Sequence, residues 1–470
     1  MTYLVFSTLY FLFLYLPIVL ILYYIVPLKG RNAMLLVVNL VFYCWGEPVY
    51  ILIMFASIAI DYTHGMLVVR ARAKGNDKAA RMAVASSVMF NLALLFFFKY
   101  WDFLAGSFAA IGLDFMPKLG IPLPIGISFY TFQTMSYTID VYRGDARVQK
   151  NLVTFATFVT LFPQLIAGPI IQYKDVDEQL ERRTHSPEQF ASGVEVFVAG
   201  LAKKVLLANN IGSLWDACKA LPDGQLTVLG AWLGIIAFTF QIYFDFSGYS
   251  DMAAGLGRML GFEFIRNFNY PYISKSITEF WRRWHISLGS WFREYLYIPL
   301  GGNRVSRPRL LLNLMIVWAA TGIWHGANWT FLLWGLYYGV LLALEKLVWG
   351  KGLEKLPAVL RHIYTMTLVI LGWVLFDLDT LGQVGAYSKA MLGLSGAGLA
   401  DGWALYQLAS YLPTLAILAA ASTPLPAELW KMLPEKAAKT VLPVLLLLGL
   451  FFSTAYLVDA TYNPFLYFRF

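Results

Sequence analysis

A histidine in apolar surroundings is the residue of this sequence best suited to chemistry. His325 lies within TGIWHGANW (321–329), and another histidine, His285, lies in the aromatic and basic run WRRWHISL (281–288). An imidazole has an unperturbed pKa of about 6.5, so it can exchange a proton near neutral pH. The chain has only five histidines, and none has the HExxH spacing of a zinc site. The pattern therefore predicts no metal site and leaves proton transfer as the chemistry to consider.

Polar side chains also interrupt the apolar windows between residues 121 and 330. Asp245 lies in QIYFDFSGYSDMAAGLG, and Arg282 and Arg283 lie in a run rich in Trp, Arg and Tyr. Acids at membrane depth are costly and usually line a cavity or pair with a cation, so these residues indicate an internal polar chamber. Taken singly, each feature has a simpler explanation. Asp245 could lie near water at the end of a helix, and the run rich in Trp, Arg and Tyr could form an aromatic belt at the membrane interface.

The elements that must hold these residues are apolar helices. Hydrophobic residues make up 59% of the chain and charged residues 14%, against about 25% charged residues in soluble domains. Windows such as 4–26 are long enough for a membrane-crossing helix, which needs about 20 residues. The sequence predicts an all-α polytopic integral membrane protein, a single domain over 1–470. Roughly ten or eleven transmembrane helices, with re-entrant or interfacial helices, should surround a central polar chamber.

The net charge of +8 is interpreted as a topology signal and a contact with anionic membrane lipid. The basic residues are spread over loops without a nucleic-acid-binding motif, so no nucleic-acid partner is expected. The basic loop 68–81 is predicted to be cytoplasmic by the positive-inside rule. Two isolated cysteines give no disulfide framework or metal site.

Six motifs together resemble the membrane-bound O-acyltransferase family. The resemblance covers residues 124–329 closely, within a motif-bearing core at about 121–349, and rests on the following stretches: PIGISFYTF, DVYRGD, LIAGPI, YFDFSGYSDMA, SITEFWRRWHISLGSWFREYLYIPLGGNR and WHGANW. It is strongest to the members that O-acetylate exported bacterial polysaccharides such as alginate. The family fold implies a ring of transmembrane helices around a thin central region, where funnels from the two membrane faces nearly meet.

The resemblance assigns the chemistry to the two histidines. His325 matches the invariant family histidine, and we expect it to remove the proton of an attacking hydroxyl as a general base. His285 matches the second family histidine and is a further catalytic candidate. It could instead bind donor phosphates or order the aromatic belt. A nucleophilic acyl-histidine intermediate is the alternative to direct transfer at either residue.

Five other residues are assigned supporting parts. Trp324 is expected to wall the site, and Asp245 to face the chamber with a hydrogen-bonding or charged partner. Asn328 would share a helical face with the histidine three residues earlier if the segment is helical, and could orient the ring or donate to an oxyanion. Arg282 and Arg283 are candidates for binding the phosphates of an anionic donor.

The function implied by the family is acetyl transfer across the bacterial inner membrane. No bound cofactor is expected, and the donor substrate is acetyl-CoA or another cytoplasmic acetyl thioester. The expected partner is a periplasmic acetyltransferase or acetyl-accepting protein, with the polysaccharide as final acceptor. Two rival hypotheses are a transporter or channel that uses Asp245 to carry an ion or small solute, and a non-catalytic scaffold that anchors a periplasmic enzyme.

Overall fold

A computed structural model describes residues 4–222 and 224–459, together with Asn463 and Leu466. No strand occurs in this described part, so the secondary structure there is helical, as predicted. Seven described helices are long and apolar enough to cross a membrane: Ile51–Ala73, Asp77–Ala109, Val228–Met259, Trp329–Leu353, Ala358–Asp377, Gly402–Ala421 and Glu435–Asp459.

Seven candidate spans are fewer than the ten or eleven that the sequence predicted. Phe11–Ile25 is an apolar helix shorter than 18 residues, and Arg31–Gly46 has 16 residues. The apolar window near residues 191–213 carries Glu195, Lys203 and Lys204. Short length and included charge therefore explain why these windows are not among the seven candidates, and the number of spans stays a prediction.

The chain divides into two compact units. The prediction of a single membrane domain stays a prediction. The first unit contains residues up to Phe197 together with Tyr249–Ile265. Its helices, with one 3₁₀ turn and two π-helical segments, are Phe11–Tyr15 (π), Leu16–Ile25, Leu28–Gly30 (3₁₀), Arg31–Gly46, Ile51–Ala73, Asp77–Leu95, Phe96–Tyr100 (π), Trp101–Ala109, Ile127–Arg143, Leu152–Thr160, Phe162–Leu165 and Tyr173–Glu181.

The second unit contains Val198–Gly248 and the residues from Arg266 onward. Its helical elements are Lys203–Ala208 (π), Asn209–Lys219, Pro271–Ile273 (3₁₀), Ile277–Arg283, Ile286–Phe292, Arg293–Tyr297 (π), Arg307–His325, Trp329–Leu344, Glu345–Trp349 (π), Gly350–Leu353, Ala358–Asp377, Leu381–Met391, Gly402–Ala421, Leu425–Lys431 and Glu435–Asp459. Two helices, Pro187–Ala202 and Val228–Met259, contain residues of both units.

A buried carboxyl group joins helices within the first unit. Asp61 is fully buried, and its side chain accepts hydrogen bonds from Ser87 Oγ at 2.5 Å and from Asn91 Nδ2 at 2.8 Å. Thr134 Oγ1 donates to Asn91 Oδ1 at 3.3 Å, which extends the contacts to a third helix. Buried polar groups are tolerated when they are hydrogen-bonded, so this network fixes the packing of these helices.

Candidate active site

The WHGAN segment is a break between two helices. One helix, Arg307–His325, ends at the histidine, and the next is Trp329–Leu344. Between them Gly326 is extended, with φ −171° and ψ 153°. A Cβ atom at Gly326 would overlap the ring of Phe331, so close packing and not backbone freedom requires glycine here. The break places the histidine at the end of a helix.

The same two helices approach each other closely at Gly322 and Gly335. A Cβ atom at Gly322 would lie 3.1 Å from Gly335 Cα, and one at Gly335 would lie 3.0 Å from Gly322 N. Larger residues would push the helices apart. The small residues therefore allow the helix after the break to pack against the helix that carries His325.

Aromatic rings enclose His325. Its side chain is buried, and ring centroids of Trp324, Trp334 and Phe376 lie 5.0, 5.0 and 5.3 Å from the imidazole centroid. All three contacts have their planes nearly perpendicular, at 75–84°. Electrostatic interactions are stronger in such surroundings than in water, so a proton donor or acceptor placed here acts with greater effect.

His285 lies between two short helices, outside the seven candidate spans. It has φ 45°, in the left-handed region that non-glycine residues rarely adopt. Its Nδ1 atom is 3.2 Å from Asn267 Oδ1, and the ring of Phe246 packs edge-on at 4.6 Å. Burial lowers the pKa of the His285 imidazole to about 3, because the charged form loses its hydration. The ring is therefore neutral at physiological pH.

The structure brings three of the predicted site residues together. The imidazole centroids of His285 and His325 are 6.4 Å apart. Trp324 contacts both rings, at 6.1 Å from His285 and 5.0 Å from His325. Two histidines separated by 40 residues in sequence thus share one buried aromatic site in the second unit.

Asn328 does not share a helical face with His325, because the helix ends at the histidine. Its Oδ1 atom instead accepts from the backbone N–H of Thr330 at 3.2 Å, which caps the following helix. Its Nδ2 atom donates to the carbonyl oxygen of Asp379 at 2.6 Å. The geometric premise for Asn328 as a neighbour on the same face was therefore wrong, and its side chain bonds to backbone groups.

Asp245 is paired, as its depth in an apolar helix led us to expect. Lys204 Nζ lies 2.5 Å from Asp245 Oδ1, and both side chains are almost completely buried. Lys204 also donates to Asn209 Oδ1 at 3.0 Å, and the backbone N–H of Leu466 donates to Asp245 Oδ2 at 3.1 Å. These contacts join separate segments of the second unit. A part for Asp245 in acyl transfer stays a prediction.

The two arginines before His285 have different surroundings. Arg283 bonds to Glu279 at 2.9 Å and to the carbonyl oxygen of Asn269 at 3.0 Å. Arg282 instead lines a cavity of about 430 Å³, whose walls include Lys346 and Arg361. The cavity also contains glutamates, including Glu279 and Glu345, so its charge is mixed.

Glu345 is a site-supporting residue that the sequence analysis missed. Its carboxylate accepts from the backbone N–H groups of Ile277 and Thr278, at 2.7 and 2.9 Å, and from the Thr278 hydroxyl at 2.7 Å. A carboxylate here satisfies free N–H groups at the start of a helix and complements its dipole. That helix, Ile277–Arg283, leads directly to His285. The sequence signal that could have identified Glu345 is its place as a single acidic residue directly after the apolar stretch 329–344.

Three further side chains, which form a cluster around Trp334 beside His325, were also not predicted. Trp281 Nε1, Trp334 Nε1 and Tyr338 Oη are buried and have no hydrogen-bond partner within the described residues. The ring centroids of these three residues lie 4.8–5.6 Å from one another. Buried donors without partners are rare and call for a ligand or water. In the described part of the chain, no cluster of three His, Cys, Asp or Glu side chains could hold a metal ion.

Known proteins are similar to this chain over most of its length. The "Probable alginate O-acetylase AlgI" of Azotobacter vinelandii is 44% identical over 401 residues, covering 84% of this chain and 80% of the relative. The "Peptidoglycan O-acetyltransferase" of Helicobacter pylori is 33% identical over 434 residues, covering 84% and 81%. The "Teichoic acid D-alanyltransferase" of Bacillus subtilis is 26% identical over 312 residues, covering 62% and 76%.

Residues 143–350 match the family described as MBOAT, membrane-bound O-acyltransferase family. This range includes both buried histidines, the break after His325 and the two arginines. The seven apolar helices agree with the multi-pass character of the family and with location in an inner membrane. The chain belongs to the membrane-bound O-acyltransferase family, and it is a multi-pass membrane acyltransferase.

Proposed function

We propose that this protein moves acetyl groups from a cytoplasmic thioester across the inner membrane for the O-acetylation of an exported polysaccharide such as alginate. The observation that carries the proposal is the pair of buried imidazoles, His285 and His325, 6.4 Å apart in an aromatic enclosure. The names of the relatives support acetyl as the group and an alginate-like polymer as the final acceptor.

The reaction is the exchange of a thioester for an oxygen ester. A hydroxyl oxygen of the acceptor forms a bond to the acetyl carbonyl carbon, and the bond from that carbon to the donor sulfur breaks. The hydroxyl proton passes to the thiolate, so the products are an acetyl ester and a free thiol. His325 accepts this proton as the oxygen attacks and returns it to the sulfur, which is general base and then general acid catalysis. No acyl-histidine intermediate is required.

Arg282 is the arginine whose surroundings better support donor binding. It lines a cavity with Lys346 and Arg361, and guanidinium groups match the geometry of phosphate oxygens. The donor in this proposal is acetyl-CoA or another acetyl thioester that carries phosphate. Arg283 already bonds to Glu279 and a backbone carbonyl, so a role for it in donor binding requires those bonds to exchange.

The immediate acceptor in this proposal is a hydroxyl group on a periplasmic acetyltransferase or acetyl-accepting protein. Such a partner would pass the acetyl group on to the polysaccharide. The buried donors of Trp281, Trp334 and Tyr338 support a polar occupant beside Trp334, whose ring packs against His325, such as the carbonyl group of an acyl donor or acceptor. The basic loop 68–81 supports an orientation in which the donor arrives from the cytoplasm.

The test is acetyl transfer across sealed membrane vesicles. Inside-out vesicles that contain the protein are loaded with alginate and periplasmic extract, and labelled acetyl-CoA is added outside. We expect labelled acetyl esters to accumulate in the lumen. His325→Ala should lower the rate by about 10²–10⁴-fold, the usual loss when a general base is removed.

His64→Ala is the matched control. The His64 Nδ1 atom bonds to the carbonyl oxygen of Ile60 in its own helix, so its removal should leave transfer unchanged. Equal labelling by wild type and His325→Ala, at equal protein abundance, would contradict the proposal. Ester formation only when acetyl-CoA is supplied in the lumen would contradict its direction.

A further inference from the structure

We propose that Asn267 is a positioning residue that holds His285 with its proton on Nδ1, so that Nε2 is the basic nitrogen of this ring. The inference rests on the proposed function in assigning His285 to the acetyl-transfer site. His285 then acts as a hydrogen-bond acceptor, and neither as a cation that binds donor phosphates nor only as a member of an aromatic belt.

The orientation of the Asn267 amide follows from a backbone contact. The N–H group of Ser287 lies 3.2 Å from the atom assigned as Asn267 Oδ1, and the Ser287 hydroxyl lies 3.0 Å from it. A backbone N–H can only donate, so the atom that it faces must be the amide oxygen and not the amide nitrogen. The side chain of Asn267 thus cannot be flipped without losing this bond.

The amide oxygen in turn fixes the imidazole proton. His285 Nδ1 lies 3.2 Å from Asn267 Oδ1, and an amide oxygen can only accept. Nδ1 must therefore carry a hydrogen for this contact to be favourable. Because the buried ring is neutral, Nε2 then has the lone pair. Which nitrogen of a histidine is protonated is set by the bond that the other nitrogen makes.

Backbone hydrogen bonds of Asn267 and Asn269 hold the short segment that contains His285. The first bond involves Asn267. Its carbonyl oxygen accepts from the N–H of Ile286 at 2.9 Å, and the N–H of Asn269 donates to the Arg283 carbonyl oxygen at 2.9 Å. These bonds lie on either side of His285, whose φ of 45° is unfavourable for a residue with a side chain. A strained backbone conformation persists where neighbouring contacts hold it in place. Here the two hydrogen bonds hold the backbone of His285 and so set the position of its imidazole.

Ring packing limits the remaining freedom of His285. Phe246 meets the imidazole at 4.6 Å with an interplanar angle of 89°, and Trp324 lies at 6.1 Å. A neutral ring with its lone pair on Nε2 cannot attract phosphate by charge. It can accept a hydrogen bond from a hydroxyl group, which is the group that the acetyl acceptor brings.

The direct test is solid-state NMR of the full-length protein in lipid bilayers, labelled with ¹⁵N at the imidazole nitrogens. Only five histidines contribute, and the signals lost in His285→Gln identify His285. We expect a neutral ring with hydrogen on Nδ1 in the wild type and with hydrogen on Nε2 in Asn267→Leu. A wild-type ring with hydrogen on Nε2 would overturn the inference, whether or not acetyl transfer is detected.

Activity provides the second measurement, in the vesicle assay with labelled acetyl-CoA. Asn267→Leu should lower kcat at least about tenfold with little change in the KM for acetyl-CoA, as expected for loss of a positioning hydrogen bond of about 1.5 kcal/mol. Asn267→Asp keeps an oxygen acceptor and adds negative charge, which raises the pKa of His285. It should restore much of kcat and shift the acidic limb of the kcat–pH profile upwards.

Asn313→Ala is the matched control, because Asn313 is equally buried but donates to the backbone oxygens of Leu300 and Gly302. It should lower stability without moving the pH profile. Equal losses and an unshifted profile in Asn267→Asp and Asn267→Leu would reduce Asn267 to a structural residue. His285 in the opposite tautomer, with transfer still dependent on His325, would reject this inference and leave the proposed function standing.

Discussion

Two buried polar pairs in the second unit differ in how their polarity is compensated. The Lys204–Asp245 pair is an ion pair at 2.5 Å, with further bonds to Asn209 and the backbone of Leu466. The rings of His285 and His325 instead pack against the aromatic rings of neighbouring side chains. The first pair cancels its own charge, whereas the second pair places two imidazole rings in an aromatic enclosure.

This difference distinguishes a pair that stabilises the fold from a pair that is suited to catalysis. A buried ion pair exchanges little with a substrate, because breaking it leaves an uncompensated charge. Imidazoles in an aromatic site can change protonation when a reactant arrives, and the left-handed backbone at His285 is the kind of strain found at functional sites. Burial of a polar residue is therefore insufficient to identify a catalytic one, and the partners of that residue decide. The pairing of Asp245 also weakens the transporter hypothesis, which used this carboxylate as a carrier.

The largest expected effect on folding comes from breaking the ion pair. Lys204→Ala should lower the free energy of unfolding by about 3–5 kcal/mol, because Asp245 is left buried without its counter-ion. The double variant Lys204→Met with Asp245→Leu should remain close to wild type, since it removes both charges. Thermal unfolding in detergent measures both. Lys439→Ala is the control, because its ion pair with Glu435 is exposed and should matter little.

Wild-type stability in Lys204→Ala would show that the ion pair between Lys204 and Asp245 does not stabilise the fold. Loss of stability in the double variant as large as in the single variant would show that packing, and not charge compensation, governs this region.

Arg282 and Arg283, which precede His285, should differ in their effects on donor binding and on stability, and both effects should be smaller than that of Lys204→Ala. Arg282→Gln should raise the KM for acetyl-CoA about tenfold, the loss of one charged hydrogen bond, with little change in stability. Arg283→Gln should instead lower the melting temperature, because it breaks the contacts with Glu279 and the Asn269 carbonyl. Steady-state kinetics and thermal unfolding of both variants provide the measurements. The opposite assignment, with donor KM raised only by Arg283→Gln, would exclude the cavity beside Arg282 as the donor site.

The smallest expected effect is at Asn328. Asn328→Ala removes the helix cap and should cost about 1 kcal/mol of stability, with less than a tenfold loss of acetyl transfer. Asn76→Ala is matched to it, since Asn76 caps the Asp77–Leu95 helix by accepting from Ala79 N–H at 2.9 Å. A hundredfold loss of transfer in Asn328→Ala with unchanged melting temperature would show that Asn328 stabilises the reacting oxygen, and not only the helix.

The sequence predicted the helical membrane class because that signal is local. It predicted the histidine site through the family resemblance, and the catalytic parts of the two histidines stay predictions. Long apolar windows report their own burial, and the two histidine motifs are short and specific. Asn328 was misplaced because an i,i+3 argument requires a continuous helix. The sequence showed Gly326 but not its close packing against Phe331, which accompanies the break.

The missed residues depend on contacts between distant segments. Lys204 is 41 positions from Asp245, Glu345 is 68 positions from Ile277, and Asn267 is 18 positions from His285. Periodicity and composition do not report which of several polar residues will pair across a fold. The number of spans stays a prediction, because hydrophobicity alone does not reveal where an apolar window forms a helix shorter than a full span, as at Phe11–Ile25.

We predict that the His325 imidazole moves the acceptor proton, and the variant His325→Gln isolates this role. Glutamine keeps hydrogen bonding and similar size but cannot take up a proton. Single-turnover transfer from labelled acetyl-CoA is measured with purified protein in vesicles loaded with alginate and periplasmic extract, together with its melting temperature. We predict a rate at least about 100-fold below wild type with an unchanged melting temperature. Near-normal transfer by His325→Gln would exclude proton transfer by His325, because the ring would then only orient its neighbours.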